Sequence, residues 1–213
     1  MKKILTLIVL TVFFFTCSET VKEETAIVEE SPCRNAKEFH FSGYINDDVK
    51  CFNDGIQDYQ RYSGGEVEGH EAPIGRFVMG MDTWPVNNGD EALFIYTPKA
   101  NTKDVEDIKA KLPLGELSLE QRQEFLLRYR VVLDVADIHN MKTHQLNAKF
   151  DNDSSINIYK IEELHNYLFY TGTILKVSML ISCNLYDRDN NLAGEIRSGD
   201  FTGLIYVDDA KDD

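Results

Sequence analysis

The side chains with the most chemistry on offer are the alternating acids. Asp187, Asp189 and Asn191 place oxygens at every second position, as do Asp151 and Asp153, a spacing that can open a calcium loop. An EF-hand needs a glutamate at the twelfth position, and counted from Asp187 that position is Ser198, so both stretches read as hairpin turns. Ser63-Gly64-Gly65 with Gly69 forms a glycine-rich stretch, but no Gly-Lys-Ser/Thr end follows to grip a phosphate, which makes it a surface loop. The histidines are His40, His70, His139, His144 and His165, and none is spaced as a metal-binding pair on a helix. No Gly-x-Ser-x-Gly elbow is present. Carboxylate pairs for glycoside hydrolysis cannot be picked out among 36 acidic residues. The spacing therefore points to no catalytic residue, no metal and no cofactor.

Aromatic residues offer the better lead. Between residues 54 and 90 the chain lacks a regular hydrophobic period and is rich in Gly, Pro and aromatics. Long irregular loops in compact domains often carry function. This one holds Tyr59, Tyr62 and the single tryptophan, Trp84, among Asp and Asn side chains. Exposed rings can stack on sugar faces while the polar neighbours take hydroxyls. The plainer alternative is that the three rings fill the end of a sandwich core.

Those residues need a scaffold, and alternation supplies one. Leu175, Val177, Met179, Ile181, Cys183 and Leu185 fall on one face of residues 175–185, with Leu180 out of phase, which predicts a half-buried strand. Residues 187–191 turn the chain, and Phe201, Gly203, Ile205 and Val207 form a returning arm with a bend at Ser198-Gly199. An opening hairpin sets Phe39, Phe41 and Gly43 against His40, Ser42 and Tyr44, turning at Asn46-Asp47-Asp48. Further strands are expected at 76–81, 92–97, 130–138, 145–150 and 156–161. Two helices interrupt them. One runs over 103–111, capped by Thr102, with Val105, Ile108 and Leu112 as its apolar stripe. The other starts at Ser118, with Gln121 completing a capping box, and extends to about Tyr129, with Leu119, Leu126 and Tyr129 as core residues. The expected architecture is mainly β: an antiparallel β-sandwich with a two-helix insertion.

The address is written at the start of the chain. Lys2 and Lys3 precede an uncharged, mostly apolar run over residues 4–15, the length of a signal-peptide core and too short to span a bilayer. Phe14-Phe15-Thr16-Cys17 resembles the lipobox of bacterial lipoproteins, with Phe14 and Thr16 standing where Leu and a Gly, Ala or Ser are usual. The resemblance implies cleavage after residue 16 and acylation of Cys17, an anchor to the outer membrane of a Gram-negative envelope on its periplasmic or outer side. Two or more acyl chains, at about 0.8 kcal/mol per buried methylene, hold a protein firmly. Ser18 is not the Asp that retains such proteins at the inner membrane. Glu19, Lys22, Glu23 and Glu24 resemble the acidic cluster that sends some of them to the cell surface, or form a solvated linker.

Residues 17–36 thus read as a lipidated acidic tether, with too little apolar surface to offset chain entropy. As a coil of roughly 19 residues it reaches about 25 Å. Residues 37–207 are one domain, able to bury about 70 % of its unfolded surface, and 208–213 an acidic tail. The hairpin at the C-terminal end of this domain, about 175–207, also resembles those of exported β-sandwich lipoproteins of unknown function.

The formal net charge of −14 becomes about −16 once Lys2 and Lys3 leave with the signal. That disfavours nucleic acid and anionic lipid headgroups as partners. Beyond Cys17, the cysteines are Cys33, Cys51 and Cys183. In an oxidising compartment they allow one disulfide, with three pairings open, and one free thiol.

These observations define an envelope lipoprotein with a non-enzymatic ligand-binding domain. Its ligand, a glycan among the candidates, would sit at Trp84, Tyr59 and Tyr62. A structural or docking subunit for another envelope protein is the alternative, and a hydrolase the third.

Overall fold

Two residues set the first hairpin. Asn46 and Asp47 both adopt left-handed backbone angles, φ 53° and 67°, the geometry of a two-residue turn whose twist matches antiparallel strands. It joins β1 (His40–Ile45) to β2 (Asp48–Asn53) in register. The computed structural model describes residues 33, 36–57, 59–68, 73–84, 86–135, 141–165, 167, 170 and 172–207, with Glu66, Val67 and Glu68 as backbone alone. The signal, Cys17, nearly all of the tether, the tail, Gly69, His70 and His139 lie outside the described residues.

The remaining strands are β3 (Tyr59–Glu68), β4 (Ile74–Thr83), β5 (Glu91–Tyr96), β6 (Ala100–Asn101), β7 (Gly115–Glu116), β8 (Leu126–Val135), β9 (Met141–Lys149), β10 (Ser155–His165), β11 (Thr173–Tyr186) and β12 (Leu192–Val207). All pairings are antiparallel and belong to one 12-stranded sheet, ordered β2-β1-β12-β11-β9-β8-β5-β4-β3. β11 joins the two blocks of this sheet. Its residues from Thr173 to Ser182 pair with β10, and only Asn184, Leu185 and Tyr186 pair with β9. The sheet curls, so that at its far end Ser63 of β3 donates its hydroxyl to the Leu204 carbonyl of β12 at 2.9 Å.

The curl encloses one core. Phe41, Met79, Met81, Leu93, Ile95, Leu127, Val177, Met179, Phe201 and Ile205 pack together with almost no exposure. Every residue on the expected apolar face of β11 is buried, and Leu180 is half-exposed. The bend at Ser198-Gly199 is a bulge: the pairing skips between Ile181 and Cys183, and Ser198 has φ 47°. Cys33 and Cys51 form a disulfide, Cα atoms 5.8 Å apart, which ties the chain before β1 to β2. Cys183 is a buried thiol, and burial, with Asp151 adding to it, pushes its pKa up to about 12.

The helices are shorter than expected. α1 (Val105–Ala110) is capped by Asp104, whose carboxylate accepts the Glu106 and Asp107 N–H groups. Thr102 instead donates its hydroxyl to the Pro73 carbonyl at 3.1 Å. α2 (Leu119–Gln123) has the expected Ser118–Gln121 capping box but stops five residues later. The chain then enters β8, where Leu127 and Tyr129 are buried and Leu126 is exposed. Leu126-Leu127-Arg128-Tyr129-Arg130 also carries a period of two, and pairing with β5 and β9 selects it over the helix.

The largest difference is β3. Residues read as a glycine-rich loop pair with β4 over ten positions, from Tyr59 with Thr83 to Glu68 with Ile74. Gly64 and Gly65 sit inside a strand at the end of the sheet order, where neither face carries a continuous apolar row.

Candidate functional site

The registers place a row of side chains across five strands on the outer face of the sheet. Tyr62 of β3 lies opposite Gly80 of β4, Gly80 opposite Phe94 of β5, Phe94 opposite Arg128 of β8, and Arg128 opposite Asn147 of β9. A neighbouring row contains Gln60 and Asp82, then Ala92, Arg130 and Gln145. Each of these residues is two positions from its counterpart in the first row, so alternation sends both rows outward. Leu93, Ile95, Leu127, Tyr129 and Leu146 point the other way, into the core.

Glycines let the rings lie down. A Cβ at Gly80 would meet the Phe94 ring at 2.7 Å, and one at Gly64 would meet the Tyr62 ring at 3.0–3.3 Å. Without those methyls Phe94 lies across β4 and Tyr62 across its own strand. Ring faces covering backbone in this way repair the gap a strand glycine leaves. Tyr62 meets Phe94 edge-on, with centroids 5.5 Å apart.

Charge is set among the rings. Arg128 stacks over Tyr96 at 4.6 Å and donates to a Tyr96 hydroxyl 3.0 Å away. Arg130 lies 5.4 Å from the Phe94 centroid and donates to Asp82 at 2.6 Å. Its Nε is buried without an acceptor among the described residues. Gln145 donates to Asn147 at 3.0 Å, leaving its own carbonyl free to accept. Together with Gly65 and Val78 these residues line an open groove of about 360 Å³, large enough for one or two sugar rings or a comparable polar ligand. The arrangement can stack a ring, grip hydroxyls and pair with an anion. Among the described lining residues, no nucleophile stands beside a base.

The sequence candidates divide here. Trp84, 57 % exposed, and Tyr62, 46 % exposed, share a second depression of about 280 Å³ with Gln60, Arg61, Asp82 and Thr83. Tyr62 and Asp82 line both hollows, so the depression adjoins the groove. Tyr59 is elsewhere. It stacks on Phe52 at 4.6 Å and packs against the core. Burial, with Glu91, Asp90 and Asp82 nearby, pushes its phenol well above the usual range. Tyr59 therefore belongs to the inner face. Sequence reading missed Phe94, Tyr96, Arg128, Arg130 and Gln145. The available signal was the alternate residues of the expected strand at 92–97.

The acidic turns use their oxygens internally. Asp187 accepts the N–H groups of Asp189 and Asn191 at 2.9 and 2.8 Å. The backbone bond from Asn191, its side-chain bond and that from Asp189 hold the carboxyl below its usual range. Asp151 does likewise for Asp153 at 3.0 Å. No three His, Cys, Asp or Glu side chains converge among the described residues. No protein-family model, curated protein or solved structure matches this chain.

Proposed function

We propose that this chain is an exported lipoprotein whose domain binds a saccharide in the groove across β3, β4, β5, β8 and β9. In this reading residues 1–16 are removed and Cys17 carries the acyl chains that hold the protein in the outer membrane. Residues 17–36 form the tether. The two blocks of strands joined at β11 act as the layers of a sandwich, with α1 and α2 as its helical insertion. The domain binds and performs no chemistry on its ligand.

The observation that carries the proposal is the set of rings laid along an exposed sheet face, Tyr62, Phe94 and Tyr96, with guanidinium and amide groups between them. Sugar recognition needs that combination: apolar C–H faces against rings and hydroxyls against planar polar groups. Tyr62 with Trp84 extends the surface toward a second ring.

Titration of the full-length chain in detergent with an oligosaccharide panel tests it. Binding should perturb Trp84 fluorescence, and Tyr62→Ala should weaken it about tenfold while the melting temperature holds. An absence of binding across the panel, with a protein partner recovered from the envelope by crosslinking, would replace this reading with a docking subunit. Mass spectrometry of the membrane-extracted protein tests the anchor, and an unmodified Cys17 would refute it.

A further inference from the structure

We infer that the groove selects saccharides bearing an anionic substituent on the sugar, a carboxylate, sulfate or phosphate, with Arg128 and Arg130 as the receiving cations. The inference rests on the saccharide reading of the groove and adds the charge of the ligand.

The first argument is local charge. The chain carries 36 acidic and 22 basic residues, so an average surface patch is negative. Among the described side chains, the lining of this groove holds two arginines and one carboxylate, Asp82. A hollow of opposite sign to the rest of the molecule concentrates ligands of opposite charge.

The second argument is how the arginines are used. Of the five arginines on strands, Arg61 pairs with Asp54 at 2.7 Å, Arg130 with Asp82, and Arg197 with Glu195 at 2.8 Å. Arg76 donates to the backbone carbonyls of Thr97 and Glu124. Among the described residues, Arg128 has a phenol as its one acceptor and an aromatic face as its support. The contact with Tyr96 fixes the plane of the guanidinium and uses only one of its N–H donors. Beside it, Arg130 keeps a buried Nε without an acceptor among the described residues. A buried unpaired donor is costly, and a planar anion reaching into the groove would satisfy donors that sugar hydroxyls match poorly. Phe94 and Arg128 are direct neighbours across the pairing of β5 and β8. A ring stacked on Phe94 thus brings its substituents to Arg128.

Calorimetric titration of the full-length chain in detergent, using four-sugar probes, tests this. One probe carries a carboxylate on each ring, one is the same oligomer with neutral hydroxymethyl groups, and one carries sulfates. The carboxylated or sulfated probe should bind at least about tenfold tighter than the neutral one, and the preferred arm identifies the anion. Raising salt from about 50 to about 500 mM should erode that advantage and spare the neutral probe. Arg128→Gln should bring the affinities of the charged and neutral probes together, lowering the charged ones at least about tenfold more than the neutral one. Arg130→Gln strands Asp82 and can unsettle the fold, so Arg128→Gln and the salt series decide. Equal affinity for charged and neutral probes, or a preference that survives Arg128→Gln, overturns the inference and leaves the saccharide reading standing. Failure of all three probes overturns both.

Discussion

The molecule has two polar outer faces, and they use similar residues differently. On the face of β1, β12, β11 and β10, polar groups answer one another. Ser178 and Thr202 share a hydrogen bond of 2.9 Å in full burial, and Tyr159 donates to Asp200 at 2.8 Å. His40 has one ring nitrogen 2.7 Å from the Lys37 carbonyl, and the other, buried 3.4 Å from an Asp200 carboxylate oxygen, makes no hydrogen bond among the described residues. On the face of β3, β4, β5, β8 and β9, rings lie flat on glycines, and Arg128 and Arg130 keep donors without acceptors among the described residues. The first face is largely closed by its own hydrogen bonds, and the second opens a hollow among rings and guanidinium groups. Each face holds one buried nitrogen without a hydrogen bond among the described residues, His40 Nε2 and Arg130 Nε, so the contrast lies in the rings and guanidinium groups that the second face gathers around a hollow, and composition does not reveal it.

Both faces rest on one core, so the strongest disturbance should not distinguish them. Leu93→Ala beneath the groove and Phe201→Ala beneath the closed face should each cost about 3–5 kcal/mol. Calorimetry should show a single transition in both variants, and two separate transitions would mean that the blocks fold independently.

Next in size is the disulfide beside the closed face. Replacing Cys33 and Cys51 by Ser opens the covalent loop between them, 18 residues apart, and should cost about 3 kcal/mol in denaturant unfolding. Saccharide affinity should be unchanged, because Tyr59, which stacks on Phe52 of β2, packs against the core and lines neither hollow.

A smaller loss is expected in alkali. The Cys183 thiol titrates at 9.0 in an ordinary setting and is pushed up to about 12 by burial, then by Asp151. Its folded form holds the proton more tightly, so this contribution is complete below pH 9 and is lost as pH rises through 12. Near pH 10 the loss is about 1 kcal/mol. Cys183→Ala should flatten the stability profile there, and native Cys183 should resist thiol reagents at pH 8.

The smallest effects separate the faces most cleanly. Thr202→Val leaves the buried Ser178 hydroxyl without its partner and should cost about 1–2 kcal/mol with no change in binding. Arg128→Gln should change stability by less than about 0.5 kcal/mol and act on binding instead. The reverse pattern would show that the functional face has been misassigned.

The sequence made one half of this arrangement readable. β11 carries its apolar residues at period two over a long run, the end of β12 alternates through Phe201, Gly203, Ile205 and Val207, and the bulge announces itself through Ser198-Gly199. The Asn46-Asp47 turn is equally legible from residue type. β3 is not, because its pairing with β4 supplies what its own pattern lacks. The groove is harder still. Tyr62 and Trp84 drew attention as aromatics in an irregular stretch, whereas Tyr62 in fact sits in a strand. Its partners Phe94, Arg128 and Gln145 are distant in sequence and meet only through register. One-dimensional spacing shows which residues share a strand face. It does not show which strands are neighbours.

Backbone chemical-shift mapping with the carboxylated oligosaccharide is the most direct test of the contrast between the faces. The account predicts shifts confined to Tyr62, Gly80, Phe94, Arg128, Arg130, Gln145 and Trp84, with Ser42, Ser178, Asp200 and Thr202 silent. Shifts centred on the second set, or none at saturating ligand, would contradict it.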